Sequence, residues 1–313
     1  MNEARKIAFQ KEILEYKDLV LKNLHLCVAG ITKVGVRNII NLLEDELKDQ
    51  FDFIYNDDGR DQSLFELLDS LQPANKTVLI LSSNFSERDL EFKKNFQKVL
   101  LKKWPFKLSS VIGIDIKTYK NLESEFAITI KPITTLKILK PRTLSQLEYL
   151  IREKDQSLKK YAKEIFLLTD GIPGLMKRWI NVFSELGEAT SSNLNNNYAT
   201  KLVLNKLEQE FNLLTSEERK LFGLVNEQGK INSILLENYI QDDSLNIIDE
   251  LKQYFIDKKG MIISHDEIDD LISKDKEFSL WNRYKVIERV KKSLNGKYKI
   301  KSVHGRGYVL KND

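Results

Sequence analysis

Gly30-Ile-Thr-Lys-Val-Gly35 sets two glycines at the ends of a short loop, directly after the apolar run Leu24-His-Leu-Cys-Val-Ala29. A helical pattern through Val36, Ile39, Ile40, Leu42 and Leu43 follows at once. Strand, glycine loop and helix together make a phosphate cradle, because the loop N–H groups and the helix N-terminus both point at an anion. Lys33 inside the loop and Arg37 just beyond it are cations within reach of such a ligand, so Gly30, Lys33, Gly35 and Arg37 form a candidate nucleotide-binding set. The same residues also suit a strand-to-helix turn whose glycines serve backbone geometry alone. A second chemistry sits at the far end of the chain. From Leu280 to Lys311 there are ten Lys or Arg against one acid, Glu288, in a protein whose overall balance is 50 basic to 46 acidic residues. A concentrated basic stretch of this kind neutralises phosphates of a nucleic acid, or forms the solvated face of a surface helix.

The elements that would position these residues can be read from periodicity. Leu280, Tyr284, Ile287, Val290 and Leu294 recur at helical spacing, which commits one face to a core and leaves Lys285, Arg289 and Lys292 on the other, with Arg283 at the edge. Asn295-Gly296 stops this helix, Tyr298 to Val303 alternates as a strand, and His304-Gly-Arg-Gly307 turns back into Tyr308-Val-Leu310. The ending Ile300-Lys-Ser-Val-His-Gly-Arg-Gly-Tyr-Val-Leu310 resembles the wing of OmpR-type winged helix-turn-helix domains, and the resemblance extends upstream to about Asn246, with Ser264-His-Asp-Glu267 as a capping box. It implies double-stranded DNA as partner. Arg283, Lys285 and Arg289 would then face base edges or adjacent phosphates in the major groove, while Lys292, Lys299, Lys301 and Arg306 contact the backbone or an adjacent minor groove, with His304 of the wing also in the DNA-binding set. His304 stands where this family commonly has Arg in the wing, and Trp281 and Tyr284 are expected to pack rather than stack on bases.

Behind the glycine loop, alternation of strands and helices predicts a parallel sheet covered by helices. The expected strands are Phe51–Tyr55, Thr77–Leu81, Ser110–Asp115 and Phe126–Ile130, with helices at Ser63–Leu71 and Ser86–Lys103 and an entry helix over residues 3–22. A helical region opens near Leu139 and contains a turn at Gly171 and Pro173. These features resemble the AAA+ and STAND families of P-loop ATPases, with the Gly30-x4-Gly35 spacing matching the first half of a Walker A motif. The second half departs from it: Val36 and Arg37 stand where Lys and Ser or Thr hold phosphates and magnesium. The strand over residues 77–81 ends in Ser82-Ser83-Asn84 rather than in acids, and Asp115 is a lone carboxylate at a strand end. The expectation is a module without catalysis, hence no enzyme and no required cofactor, with ATP or ADP the ligand the loop leaves open. No strand ends carry the clustered acids of a phosphoacceptor, so phosphorylation input is not expected.

The polar run Ser191–Asn197 is expected to be a linker, followed by helices from Leu202 to Leu214, at 216–227 behind a Thr215/Glu218 capping box, and at 231–240. The expected organisation is an ATPase-like α/β module at 1–190, a helical joint at 198–245 and the winged helix at 246–313. One cysteine, Cys27, in an apolar strand excludes an internal disulfide, and three scattered histidines give no zinc spacing. No apolar run approaches the ~20 residues of a membrane helix, and a cytoplasmic DNA-binding transcriptional regulator, able to form homo-oligomers, is the expectation. A nucleotide-dependent switch and a protein-interaction scaffold are the alternatives.

Overall fold

The computed structural model describes residues 3–56, 64–70, 77–121, 134–273, 280–294, 298–303 and 306–312. Contacts divide the chain into two compact units, Met1–Glu237 and Asn238–Asp313.

In the first unit, α1 (Glu3–Ala8) and α2 (Gln10–Leu21) precede β1 (His25–Gly30), α3 (Val36–Leu47), β2 (Phe53–Asn56) and α4 (Leu64–Ser70). They are followed by β3 (Thr77–Ser82), α5 (Leu90–Leu101), β4 (Lys107–Ile114), α6 (Ile116–Asn121) and β5 (Thr134–Leu139). All five strands run parallel in the order β2-β3-β4-β1-β5. This is an α/β sheet of P-loop-like type, with β1 near its middle, between β4 and β5. Leu26 to Ala29 of β1, Val78 to Leu81 of β3 and Val111 and Ile112 of β4 are fully buried. Strands covered on both faces have no solvent side to alternate with, which is why they read as continuous apolar runs. Each buried Leu, Ile or Val contributes roughly 1.5–3 kcal/mol.

Two expectations are corrected here. The entry helix is two helices, broken at Phe9, whose ring is fully buried. The fifth strand is Thr134–Leu139, so Leu139 ends a strand rather than opening a helix; the expected strand Phe126–Ile130 lies outside the described residues.

The sheet is followed by α7 (Leu144–Lys154), whose Thr143 and Gln146 form a capping box, then α8 (Ala162–Thr169) and α9 (Pro173–Leu186). The turn at Gly171 and Pro173 is present: Asp170 (φ 49°) and Gly171 (φ 68°) take left-handed backbone, and Pro173 opens α9. The expected linker at 191–197 is instead helical, α10 (Ser191–Asn196), because Thr190 caps it and Leu194 anchors it in the core. After α11 (Tyr198–Leu213), the Thr215/Glu218 capping box starts α12 (Ser216–Leu221). That helix stops at Gly223 (φ 76°), and a bridge between Val225 and Ile231 intervenes where helix was expected. The long α13 (Ile234–Asp257) comes next.

The second unit contains the C-terminal part of α13, β6 (Ile262–Ser264), α14 (His265–Ser273), α15 (Leu280–Ser293), β7 (Tyr298–Val303) and β8 (Gly307–Asn312). Its antiparallel sheet has the order β6-β8-β7. Leu251, Phe255, Ile263, Ile268, Ile287, Val290, Leu294, Ile300, Tyr308 and Leu310 make one core. Ser264 and Glu267 reciprocate hydrogen bonds at the start of α14, as the capping box requires.

Candidate functional sites

The glycine loop leaves β1 at the carboxyl end of the parallel sheet, the end where ligands of open α/β sheets bind. Its conformation is set by close packing. A Cβ on Gly30 would lie 2.6 Å from side-chain carbons of both Val34 and Val36, so the valines fold back over a site only glycine can occupy. Gly35, at φ +113°, faces the Phe9 ring, where a Cβ would come within 2.8 Å. Lys33 also has left-handed backbone (φ 63°) and an exposed side chain; Arg37, on the first turn of α3, is exposed as well. The four candidates thus share one loop and helix start, with both cations at the surface.

Two elements distant in sequence hold this loop. The Thr32 N–H and the Thr32 hydroxyl each donate to one oxygen of the Glu210 carboxylate, both at 2.7 Å. Glu210 is on α11 and is 5% exposed. Burial, countered by the Thr32 hydrogen bonds and by Lys206, pushes its carboxyl up to about 7. On the other side, the Gly174 N–H of α9 donates to the Lys33 carbonyl at 3.2 Å, and a Cβ on Gly174 would lie 2.2 Å from that of Lys33. Glu210 was not anticipated. The signal was available, because Val203, Leu207 and Glu210 fall on one helical face, and an acid on an apolar stripe asks for a partner.

A second buried charge braces the same region. The Arg142 guanidinium stacks over the Phe9 ring at 4.5 Å and donates to Glu12 at 2.7 Å and to the Ala8 carbonyl at 3.3 Å, while the Arg142 backbone N–H donates to the Gly171 carbonyl at 2.9 Å. Loop, N-terminal helices and the Gly171 turn are therefore linked through Phe9 and Arg142. At the neighbouring strand ends, Ser82 and Ser83 are buried, and the Ser83 hydroxyl has no hydrogen-bond partner among the described residues. Asp115 caps α6 by accepting from the Thr118 N–H at 2.9 Å, the role a lone carboxylate at a strand end most often fills. Cys27 is buried and its thiol is pushed up to about 12 by desolvation, which makes it an inert core group.

In the second unit α15 is rotated from the expected orientation. Arg283, Ile287, Val290 and Leu294 point inward, whereas Tyr284 is 61% exposed. Arg283 pairs with Asp269 of α14 through two bonds, Nε to Oδ1 at 2.6 Å and Nη2 to Oδ2. It is a bracing residue between helices and does not face outward, and Tyr284 is corrected from core to surface. Arg289 and Lys292 are exposed on the outward face and make no ion pair among the described residues. On the hairpin, Lys299 and Lys301 are exposed on either side of buried Ile300, and Arg306 is exposed where β8 is approached. The side chain of Lys285 and the whole of His304 lie outside the described residues. Gly307 (φ +142°) is packed so closely that a Cβ would fall 1.9 Å from the Ile263 carbonyl oxygen, which fixes where the hairpin rejoins β6.

No group of His, Cys, Asp and Glu suited to a metal occurs among the described residues, and no helix among them is long and apolar enough to cross a membrane.

No family model matches the chain, and no curated protein matches it. Solved structures do. The RuvB Holliday junction branch migration motor of Thermotoga maritima matches at 14% identity over 96% of this chain and 92% of its own, with a TM-score of 0.41. Aeropyrum pernix Orc1, solved in complex with DNA, matches at 11% identity over 97% and 89%, with a TM-score of 0.42. Cdc6p of Pyrobaculum aerophilum matches at 10% identity over 97% and 89%, with a TM-score of 0.44. These solved structures are of AAA+ ATPases, one of them a motor; at 10–14% identity the likeness is one of fold, and the expectation that the chain is not an enzyme does not stand. The loop's missing Lys and Ser or Thr remove one set of phosphate contacts and do not decide activity by themselves.

Proposed function

We propose that this protein is a nucleotide-responsive, DNA-binding regulator: the first unit takes ATP or ADP at the Gly30–Gly35 loop, and the second is an OmpR-type winged helix that places α15 in a major groove. The observation that carries the DNA reading is the sorting of charge on α15 and its hairpin. One face packs through Ile287, Val290 and Leu294, the other presents Arg289 and Lys292, and the hairpin adds Lys299, Lys301 and Arg306. A helix with a basic face can enter the groove while the hairpin cations neutralise phosphates. Tyr284, exposed beside that face, joins Arg289 as a candidate for base-edge contact. Support for the nucleotide reading is that the loop already binds an anion through a backbone N–H, since Thr32 donates to the Glu210 carboxylate. That is the interaction a phosphate oxygen would use.

The test is selection from a random duplex pool by the full-length protein across a salt series, with and without ATP and magnesium, with ATP turnover measured alongside. Enrichment of a motif and a steep loss of affinity with salt are expected, with ATP changing the retained fraction. Failure to retain any duplex at low salt would remove the DNA reading and favour a protein-binding role for the second unit.

A further inference from the structure

We propose that the Glu210 carboxylate is the resident anion of the Gly30–Gly35 loop, and that a nucleotide's polyphosphate enters only by displacing it, freeing α11 from the loop. The inference rests on the nucleotide reading above and adds a coupling to it.

Glu210 is an ionisable side chain 5% exposed, and among the described residues it has no cation within ion-pair distance. Its two close partners are neutral, the N–H and hydroxyl of one loop residue, each bonded to a different oxygen at 2.7 Å. The charged groups whose fields reach it are Lys206 on its own helix and Asp115 at the end of β4, which oppose one another. A buried carboxylate held only by neutral donors costs more than a Leu or Gln at the same position, so stability does not account for it. Its bonds go to the loop shaped to hold an anion. A polyphosphate brings more charge and more acceptor oxygens to those donors. Thr32 has one N–H and one hydroxyl proton to give, and two anions at one donor pair repel in a medium of low dielectric. Occupancy by ligand and docking of Glu210 therefore exclude each other.

The mechanical consequence follows from position. Glu210 lies one turn from the end of α11, and the rest of that helix's buried face is Thr200, Val203, Leu204 and Leu207. Losing the Thr32 bonds leaves a buried acid without donors, so the last turn of α11 must move toward water. Ligand binding is thereby converted into exposure of a helix end, without any residue of α11 touching the ligand.

The closing experiment titrates full-length wild type, Glu210→Gln and Glu210→Ala with ATP and magnesium by calorimetry, and follows amide exchange across residues 198–213. Glu210→Gln keeps an acceptor for the Thr32 N–H and supplies a donor to its hydroxyl, so it retains the contacts that Glu210→Ala removes; circular dichroism verifies that both variants fold. The expected result is roughly ten-fold or greater tightening of ATP binding in the variants, because the competing anion is gone. ATP should also accelerate exchange at the C-terminal turn of α11 in the wild type, whereas Glu210→Ala, with no side chain bonded to Thr32 to release, should show no further acceleration with ATP. ATP binding of equal or weaker affinity in the variants, with α11 exchange unmoved in the wild type, would overturn the coupling and leave the nucleotide site standing. Absence of ATP binding in all three proteins would overturn the nucleotide reading and the coupling with it.

Discussion

Replacing Glu210 by Gln should change how the stability of the first unit depends on pH. In the folded chain burial raises this carboxyl from an ordinary 4.5 to about 7. Between those values the unfolded chain has released the proton and the folded chain still holds it, so stability falls as pH rises at about 1.4 kcal/mol per pH unit. The contribution is fully present below about pH 4.5 and is gone once pH has passed through about 7. Over that window the loss is about 3 kcal/mol for this one group. Asp170, raised by burial from 3.8 to about 7 against a hydrogen bond from Asn232, acts in the same direction. Comparison of wild type with the variant isolates the Glu210 share, because Gln cannot titrate and keeps both Thr32 contacts. Urea unfolding at pH 5, 6, 7 and 8, read by exchange protection of β1 and β4 peptides, measures it. Relative to wild type, Glu210→Gln should gain about 3 kcal/mol on going from acid to pH 8. A wild-type-to-variant difference that is the same at pH 5 and pH 8 would show that Glu210 ionises normally and is not held in the dry contact with Thr32 described above.

Other perturbations reach the remaining features. Arg142→Met should destabilise the first unit by about 3–5 kcal/mol by leaving Glu12 without its buried partner, and adding Glu12→Gln should recover part of this in a double-variant cycle of unfolding free energies. Gly307→Ala should cost the second unit about 3 kcal/mol, since its Cβ meets the Ile263 carbonyl and its backbone is left-handed; loss of exchange protection in β6 and β8 reports it. Arg289→Ala should weaken DNA binding by about 1–3 kcal/mol with relaxed preference at one base pair, or uniformly with a shallower salt slope if it meets a phosphate. Arg283→Met, by contrast, should lower the stability of the second unit through the stranded Asp269 while leaving the salt slope of DNA binding unchanged, measured on the folded fraction.

Much of the architecture was determined by local pattern. Leu24–Ala29 and Thr77–Leu81 had to be buried strands, because runs that short and that apolar have no other place in a folded chain. The caps at Thr215 and Ser264 and the turn at Gly171 and Pro173 followed from donors and backbone angles within a few residues. Thr134–Leu139 escaped notice because it is an edge strand carrying Lys137, so its apolar signal is diluted by the solvent it faces. The linker expected at 191–197 failed for a related reason: its polar composition hid one anchoring residue, Leu194.

What the tertiary structure alone decided are the partnerships of charge. Arg283 and Tyr284 are neighbours on α15, and either could complete a helical stripe with Ile287, Val290 and Leu294. Asp269, on another helix, settled which one turns inward. Glu210 and Thr32 are 178 residues apart, and nothing in either neighbourhood specifies the other. Periodicity and caps are short-range, set by one turn of helix or one pleat of strand, and so are written in the chain. The electrostatics of a buried group depend on which distant donors the fold brings within 3 Å, roughly the length of one hydrogen bond, and that is known only when the chain has closed on itself.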